Sequence, residues 1–105
     1  MITLEFTPDA IFVQGAGVLQ GGAVSAMLDF AMAFAVLALL PAGQACTTTN
    51  ANVSFLRAAP RGRYVAIGEI ERRGRQLAFT RARLMAADLP ERVVATASST
   101  LLIMA

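Results

Sequence analysis

The sequence predicts an α+β domain in which one long central helix is wrapped by a curved antiparallel sheet of about five strands. Three observations support this class: an apolar segment of helical length, period-two alternation in the segments after it, and short turn signals between those segments. The chain has 105 residues, of which 56% are hydrophobic and 15% charged. We therefore expect residues 1–105 to form a single domain, with part of the apolar surface buried against another subunit.

The N-terminal segment is predicted to be extended. Apolar and polar residues alternate from Ile2 to Phe6, Pro8-Asp9 signals a turn, and a second extended stretch reaches Gln14. The segment Gln14-Gly15-Ala16-Gly17 then predicts a flexible connection. A strand or a short hairpin should therefore precede the helix.

The central helix is predicted from Ala23 to Leu40, because no breaker occurs before Pro41 and only Ser25 and Asp29 are polar. A membrane span is disfavoured, since an aspartate near its middle would cost about 2.5–3.5 kcal/mol on insertion scales. A signal peptide is disfavoured because no basic segment precedes the apolar one. We expect a helix of a soluble protein that is almost fully buried, because the sheet covers it on every side.

Four strands are predicted after the helix, around residues 48–55, 64–71, 77–84 and 93–104. The turns between them are predicted at Pro60-Arg61-Gly62, Arg73-Gly74 and Asp88-Leu89-Pro90-Glu91. Because these connections are short, the last four strands should form a meander. Gly68 is expected to mark a β-bulge in the second of them.

In the first of these strands, side chains of alternating type predict one polar face. The predicted members of that face are Thr48, Asn50, Asn52 and Ser54.

The composition excludes several kinds of catalyst. The chain has no histidine and one cysteine, so serine–histidine hydrolases, cysteine–histidine hydrolases and zinc sites are excluded, and no metal site is expected. A single cysteine cannot form an internal disulfide, so the cytoplasm is the expected location.

The basic residues are unevenly distributed. All nine are arginine, and eight of them lie from Arg57 to Arg83, opposed there only by Glu69 and Glu71. This asymmetry favours an anionic partner, either nucleic acid or a phosphorylated small molecule. Nucleic acid is disfavoured because the chain offers one tyrosine and few aromatic residues for base stacking. The alternative is that these arginines simply lie on solvated strand faces.

Two features of the helix are candidates for chemistry. Asp29 is its only ionisable residue, and a buried carboxylate must be neutralised, paired or used. It could equally lie at a subunit boundary or pair with an arginine. The Gln20-Gly21-Gly22 step opens the helix, where free N–H groups can stabilise a developing oxyanion. The alternative for this step is an ordinary tight turn.

Spacing joins these features into a family resemblance. The segment Leu19-Gln20-Gly21-Gly22 followed by Asp29 resembles hotdog-fold acyl-CoA thioesterases of the phenylacetate-degradation (PaaI-like) type, in which a His-Gly-Gly step precedes a helix carboxylate. The segment Asn52 to Ala59, with Phe-Leu-Arg-Ala-Ala, is similar to the family's Phe-Leu-Arg-Pro-Ala, and Arg72-Arg73-Gly74-Arg75 is similar to its basic hairpin. The resemblance runs from about Gln14 to the C-terminus.

The resemblance implies a role for each matching residue. Asp29 would be the catalytic carboxylate, acting as base or nucleophile, and the Gly21 N–H would polarise the thioester carbonyl. Gln20 stands where the family usually has histidine, and Gln14 stands where it often has Asn or Gln near the reacting group. Ala33 falls where some members have a Ser or Thr that orients water. The chain also begins close to its first strand, so an N-terminal segment common in relatives is expected to be missing.

The substrate and assembly are implied in the same way. The expected activity is hydrolysis of a small or aromatic acyl-CoA, with Arg57 and Arg75 as the candidates for binding the coenzyme A phosphates. Coenzyme A would be part of the substrate, and no separate cofactor, nucleic acid or membrane is expected. A non-catalytic protein that binds acyl-CoA or only assembles is the alternative.

The expected assembly is a homodimer or a tetramer of dimers, with each site drawing on two chains. Gly21 and Asp29 are eight residues apart, which is about 12 Å along a helix. Both groups must lie within about 3 Å of the reacting atoms. Two antiparallel copies of the helix would place Gly21 of one chain beside Asp29 of the other.

Overall fold

A computed structural model describes residues 1–14 and 17–104 of the chain. Within these residues, one long helix packs on a five-stranded antiparallel sheet, which confirms the predicted fold class. The elements are β1 (Ile2–Phe6), a short 3-10 helix (Ala10–Phe12), α1 (Gly21–Leu37), β2 (Ala45–Phe55), β3 (Tyr64–Arg73), β4 (Leu77–Ala86) and β5 (Leu89–Met104). The flexible connection predicted at 14–17 includes Gly15 and Ala16, which lie outside the described residues.

The strand order is β1-β3-β4-β5-β2, so the predicted meander of the last four strands is wrong. Only β3, β4 and β5 follow one another as neighbours, whereas β2 pairs with β5 at one edge of the sheet. The place beside β3 is taken by β1, where Ile2 pairs with Gly68 and Phe6 with Tyr64. Because β1 occupies that side, residues 56–63 must carry the chain across from the β2 edge to β3.

The ends of three elements differ from the prediction. The second extended stretch is replaced by the 3-10 helix, in which Phe12 N–H donates to the Asp9 carbonyl at 3.0 Å. Helix α1 begins two residues early and ends at Leu37, because residues 38–40 tighten into turns before Pro41, where helical geometry is disfavoured. The turn between β4 and β5 is Ala87-Asp88, and β5 already starts at Leu89.

One face of α1 is buried against the sheet and the opposite face is exposed. The core centres on fully buried side chains such as Leu28 and Met32 of the helix and Leu84 of β4. The expectation that α1 is almost fully buried is wrong, since Phe30 is 50% and Phe34 45% exposed. The sheet curves around only part of the helix circumference.

The exposed side of α1 carries a short run of aromatic rings. Phe6 of β1 stacks on Phe30 with ring centres 6.4 Å apart, and Phe30 lies 6.4 Å from Phe34. Over residues 1–14 and 17–104, no helix is long and apolar enough to span a bilayer.

A β-bulge in β2 changes the predicted polar face. The register with β5 shifts between Thr48 and Asn50, with Thr48 opposite the buried Leu101 and Asn50 opposite Thr100. Thr48 therefore points to the helix side, whereas Asn50, Asn52 and Ser54 point away from it. The extra residue of a bulge reverses the alternation, which the strict period-two pattern could not anticipate.

Gly68 does not mark a bulge, contrary to the prediction. It pairs regularly with Ala82, and the irregularity of β3 lies between Ile70 and Arg72. Instead, a Cβ atom at position 68 would overlap the carbonyl oxygen of Ala31 in α1. Glycine is required here because the helix backbone approaches the strand too closely for any side chain.

We predict that Gly68→Ala lowers the free energy of unfolding by about 3 kcal/mol and the Tm by more than about 10 °C, because α1 must move off the sheet. Thermal unfolding followed by circular dichroism measures the effect. Gly62→Ala is the matched control, since an added Cβ there meets no atom within 4 Å. Equal Tm values for the two variants would contradict this account of Gly68.

Candidate active site

The helix carboxylate predicted to be catalytic lies at the border between the buried and exposed faces of α1. Asp29 is half-buried, and its Oδ1 accepts a hydrogen bond of 2.8 Å from the Thr48 hydroxyl of β2. The bond fixes one carboxylate oxygen and leaves Oδ2 available for a further partner. The bulge in β2 creates this contact, because it turns Thr48 toward the helix.

A thiol lies beside the same carboxylate. Cys46 of β2 is half-buried, and its Sγ donates a weak hydrogen bond to the Ala33 carbonyl at 3.8 Å. Burial, and then the negative charge of Asp29, raise the pKa of this thiol above its usual value. Cys46 is therefore a neutral packing residue at neutral pH rather than a nucleophile.

Three of the predicted site residues meet in one recess at the other end of the helix. Gln14, Gly21 and Arg57 line a cavity of about 500 Å³ together with Phe55 of β2. Arg57 is held at the rim, since its Nε donates to the Val93 carbonyl at 3.2 Å and its backbone N–H to the Val94 carbonyl at 3.2 Å. The recess thus brings Gln14 and Arg57 to the first residue of the helix.

The first helical residue presents an unused donor. Gly21 is exposed, and within residues 1–14 and 17–104 its backbone N–H donates to no protein acceptor. The helix instead starts with Ala23 and Val24 donating to the Gln20 carbonyl. An N–H at this end of a helix, reinforced by the helix dipole, suits a negatively charged oxygen.

Gln20 faces a different cavity from Gly21. Its side chain makes no capping bond to the helix, and it lines an apolar cleft of about 430 Å³ with Phe6, Phe12 and Phe30. Gly22 lines the same cleft. The Gln20-Gly21-Gly22 step therefore separates an aromatic cleft on the β1 side from the recess that holds Arg57.

The two arginines predicted to bind phosphate lie at opposite ends of the sheet. Arg57 lies beside Val93 and Val94, at the start of β5. Arg75 belongs to the connection between β3 and β4, next to Leu77, which pairs with Leu102 near the end of β5. Eight or nine strand residues at about 3.3 Å each separate the two positions by roughly 25 to 30 Å. Within one chain they cannot contact the same phosphate group.

Asp29 and Gly21 are also held apart within one chain. Both belong to the continuous helix α1, so its rise sets about 12 Å between them. Yet both contact the same strand, because Asp29 bonds Thr48 and Gly21 packs on Phe55. Both groups therefore lie on the β2 flank of the helix, where β2 forms a sheet edge.

Sequence reasoning missed Thr48 and Phe55 as members of the site. The run Thr47-Thr48-Thr49 indicates that a hydroxyl could face the helix, but it does not indicate which of the three. Phe55 belongs to the Phe-Leu-Arg-Ala-Ala segment that resembles the family, but the resemblance implies no role for it. In the described part of the chain, no group of three or more Cys, Asp or Glu side chains is placed to bind a metal ion.

The family is shown by comparison with known proteins. The model of the Thioesterase superfamily matches residues 16–97 of the chain. A comparison with curated proteins gave no match.

Solved structures give the same result. A phenylacetic acid degradation-related protein from Ralstonia eutropha JMP134 is 35% identical, with a TM-score of 0.89, over 95% of this chain and 74% of that one. A thioesterase family protein from Silicibacter pomeroyi is 31% identical, with a TM-score of 0.89, over 97% of this chain and 76% of that one.

A more distant structure shares the fold. A Bacillus halodurans protein solved with CoA is 19% identical, with a TM-score of 0.90, over 98% of this chain and 67% of that one. The resemblance read from the sequence is thus confirmed, and the chain belongs to the Thioesterase superfamily as a thioester hydrolase with the hotdog fold.

Proposed function

We propose that the protein is a cytoplasmic acyl-CoA thioesterase that hydrolyses a small or aromatic acyl thioester. The observation that carries this proposal is the recess lined by Gln14, Gly21 and Arg57, at the end of the helix where the Gly21 N–H has no acceptor among the described residues. It offers a donor for the thioester carbonyl and a cation for the phosphorylated part of CoA. The Bacillus halodurans structure, solved with CoA, supports this class of substrate.

The reaction follows from the properties of these groups. The Gly21 N–H stabilises the negative charge that develops on the carbonyl oxygen as the carbon is attacked. With Asp29 as general base, the carboxylate removes a proton from water while the water oxygen bonds to that carbon. The carbon–sulfur bond then breaks, the acid is released, and the CoA thiolate receives the proton. CoA enters only as part of the substrate, and no separate cofactor is needed.

Thr48 positions the carboxylate in this scheme. Its hydroxyl holds Oδ1 of Asp29, and Oδ2 then serves as the oxygen that accepts the proton of the attacking water. Ala33, one turn along the helix, supplies no hydroxyl, whereas Thr48 supplies one that donates to the carboxylate. If Asp29 is instead the nucleophile, an anhydride forms with it. Label found in Asp29 after a single turnover in ¹⁸O-labelled water would identify the anhydride route, because general-base hydrolysis places the label in the released acid.

The active site is proposed to form between two chains. The helix keeps Gly21 and Asp29 too far apart for one thioester, and both lie on the flank next to the β2 edge. A second copy that approaches this edge about a two-fold axis places the helices antiparallel. Gly21 of one chain then lies beside Asp29 of the partner subunit. A homodimer, or a tetramer of such dimers, contains complete sites.

The same two-fold arrangement accounts for both arginines. Arg57 lies at the end of the sheet that holds Gly21, whereas Arg75 lies at the end that holds the C-terminus of α1. With the two chains antiparallel, the partner subunit's Arg75 comes to the end where Arg57 lies. The phosphates of one CoA molecule would then be bound by both chains.

The acyl group is proposed to occupy the aromatic cleft next to Gln20. The cleft of about 430 Å³ is lined mainly by carbon atoms, including the rings of Phe6, Phe12 and Phe30. Apolar groups of small or aromatic type match such a lining. The direct experiment is a hydrolysis screen over short, medium, long-chain and aryl CoA thioesters, with the released thiol as readout. Absence of hydrolysis for every class would refute the proposed function.

Removal of the carboxylate should abolish most of the activity. We predict that Asp29→Asn lowers kcat by at least about 100-fold without loss of folding, because the base or nucleophile is lost. Thr48→Val should lower kcat by about 10-fold, since the carboxylate is no longer held, whereas Thr48→Ser keeps the hydroxyl and the activity. Steady-state kinetics and circular dichroism check these outcomes. Normal turnover by a folded Asp29→Asn variant would remove Asp29 from the mechanism.

Removal of a phosphate-binding arginine should affect binding rather than turnover. We predict that Arg57→Ala and Arg75→Ala each raise KM about 10-fold and leave kcat nearly unchanged, because phosphate contacts remote from the thioester bind ground and transition states alike. The effect should shrink at high salt and vanish with a pantetheine thioester. Arg81→Ala is the control, because Arg81 already pairs with Glu69 at 2.7 Å. Equal wild-type KM values for CoA and pantetheine thioesters would exclude phosphate binding.

Mixed oligomers should test the two-chain site directly. Gly21→Pro removes the N–H at a position where proline is compatible with the helix, so kcat should fall by about 100-fold or more. When Gly21→Pro and Asp29→Asn chains are unfolded together and refolded, sites with both groups intact form in mixed dimers. We predict activity well above that of either parent. An active monomer in sedimentation, or mixed dimers without recovered activity, would rule out this arrangement.

A further inference from the structure

The glycine that begins α1 is not required by its backbone conformation. Among the described residues, positive φ values occur at Gly17 and Gly43, and Gly21 has ordinary helical geometry. Alanine is the better helix former, so helix propensity alone would favour a side chain here. The reason for glycine must therefore lie in what surrounds position 21.

The ring of Phe55 occupies the space beside Gly21. A Cβ atom at position 21 would lie 3.3 Å from Cζ and 3.5 Å from Cε1 of that ring. The neighbouring Gly22 differs, because a Cβ there would meet no atom within 4 Å. The ring edge therefore packs directly on the residue whose N–H is the proposed carbonyl donor.

Phe55 is held in this place by the backbone on both sides of it. It is the last residue of β2, and it pairs with the buried Ala95 of β5. The next two backbone N–H groups, of Leu56 and Arg57, both donate to the Val94 carbonyl at 2.9 and 3.2 Å. The side chain is nevertheless 55% exposed, so one face of the ring borders the open recess.

We propose that Phe55 forms an apolar wall of the recess, excludes water from the Gly21 N–H, and fixes the thioester carbonyl against it. This inference rests on the proposed function. A donor next to an apolar surface stabilises a developing oxyanion more strongly than a donor surrounded by water. The wall also accounts for glycine at position 21, since a Cβ atom 3.3 Å from Cζ would require the ring to move by a few tenths of an ångström.

The kinetic test uses substitutions that change the ring in steps. Phe55→Leu should lower kcat by about 10-fold with KM within about 2-fold, because the wall acts on the transition state. Phe55→Tyr keeps the ring and should restore nearly full activity. Phe79→Leu is the matched control, since Phe79 is a half-exposed ring on β4 paired with Thr100 and Arg72, away from the recess. Its kinetics should equal those of the wild type.

A double-mutant cycle tests the contact itself. Gly21→Ala should lower kcat about 10-fold in the wild-type background but less than about 3-fold in the Phe55→Leu background, because the displaced ring is then absent. Thermal unfolding gives the change in Tm that Gly21→Ala causes in each background. We expect this change to be more favourable in the Phe55→Leu background than in the wild type. Gly22→Ala should show no such difference in Tm between the two backgrounds.

The outcomes separate this inference from the function on which it rests. Unchanged kinetics of Phe55→Leu in a chain whose wild type is active would overturn the role of Phe55 and leave the thioesterase intact. Additive effects in the cycle would overturn the contact as the reason for Gly21. A wild-type chain that hydrolyses no thioester would overturn the proposed function, and with it the catalytic part of this inference.

Discussion

The close approach of α1 to β3 at Gly68 determines the geometry of the whole molecule. The Ala31 carbonyl lies where a side chain of residue 68 would start, so the helix rests on the bare backbone of the strand. Because α1 is one continuous helix of 17 residues, this contact sets its height above the sheet near its middle. Gly21 lies against Phe55 at one end and Asp29 against Thr48 further along, so a shift of the helix at Ala31 would disturb both contacts. The geometry of the proposed site thus depends on a residue with no chemistry of its own.

The sequence predicted the features that depend on residues close to one another along the chain. The helix and the four later strands follow from local periodicity, and their bounds are correct to within a few residues. The position of β2 was not predictable in this way, because pairing of β2 with β5 rather than β3 depends on β1 already occupying the β3 edge. Strand adjacency is a property of the whole sheet, and short connections favour it without requiring it.

Some residues of the candidate site could be predicted from the sequence in the same way, and others could not. Family motifs identified Gln14, Gly21 and Arg57, and the structure brings these three into one recess. Thr48 could not be identified, because three consecutive threonines give no sign of which hydroxyl a bulge turns inward. The separation of Gly21 and Asp29 was predictable, because eight residues of a helix span a fixed length that does not depend on the surrounding structure.

An apolar helix that is only partly covered matches the requirements of a hydrolase. If the sheet enclosed α1 completely, Asp29 would be buried without access to water or substrate, at a large desolvation cost. If the helix lay on the surface, the carboxylate would be fully hydrated and poorly positioned. The observed arrangement places Asp29 at the border, half-buried, with one oxygen satisfied by Thr48. Exposure of Phe30 and Phe34 follows from the same arrangement, because the sheet that leaves Asp29 accessible cannot also cover the far side of the helix.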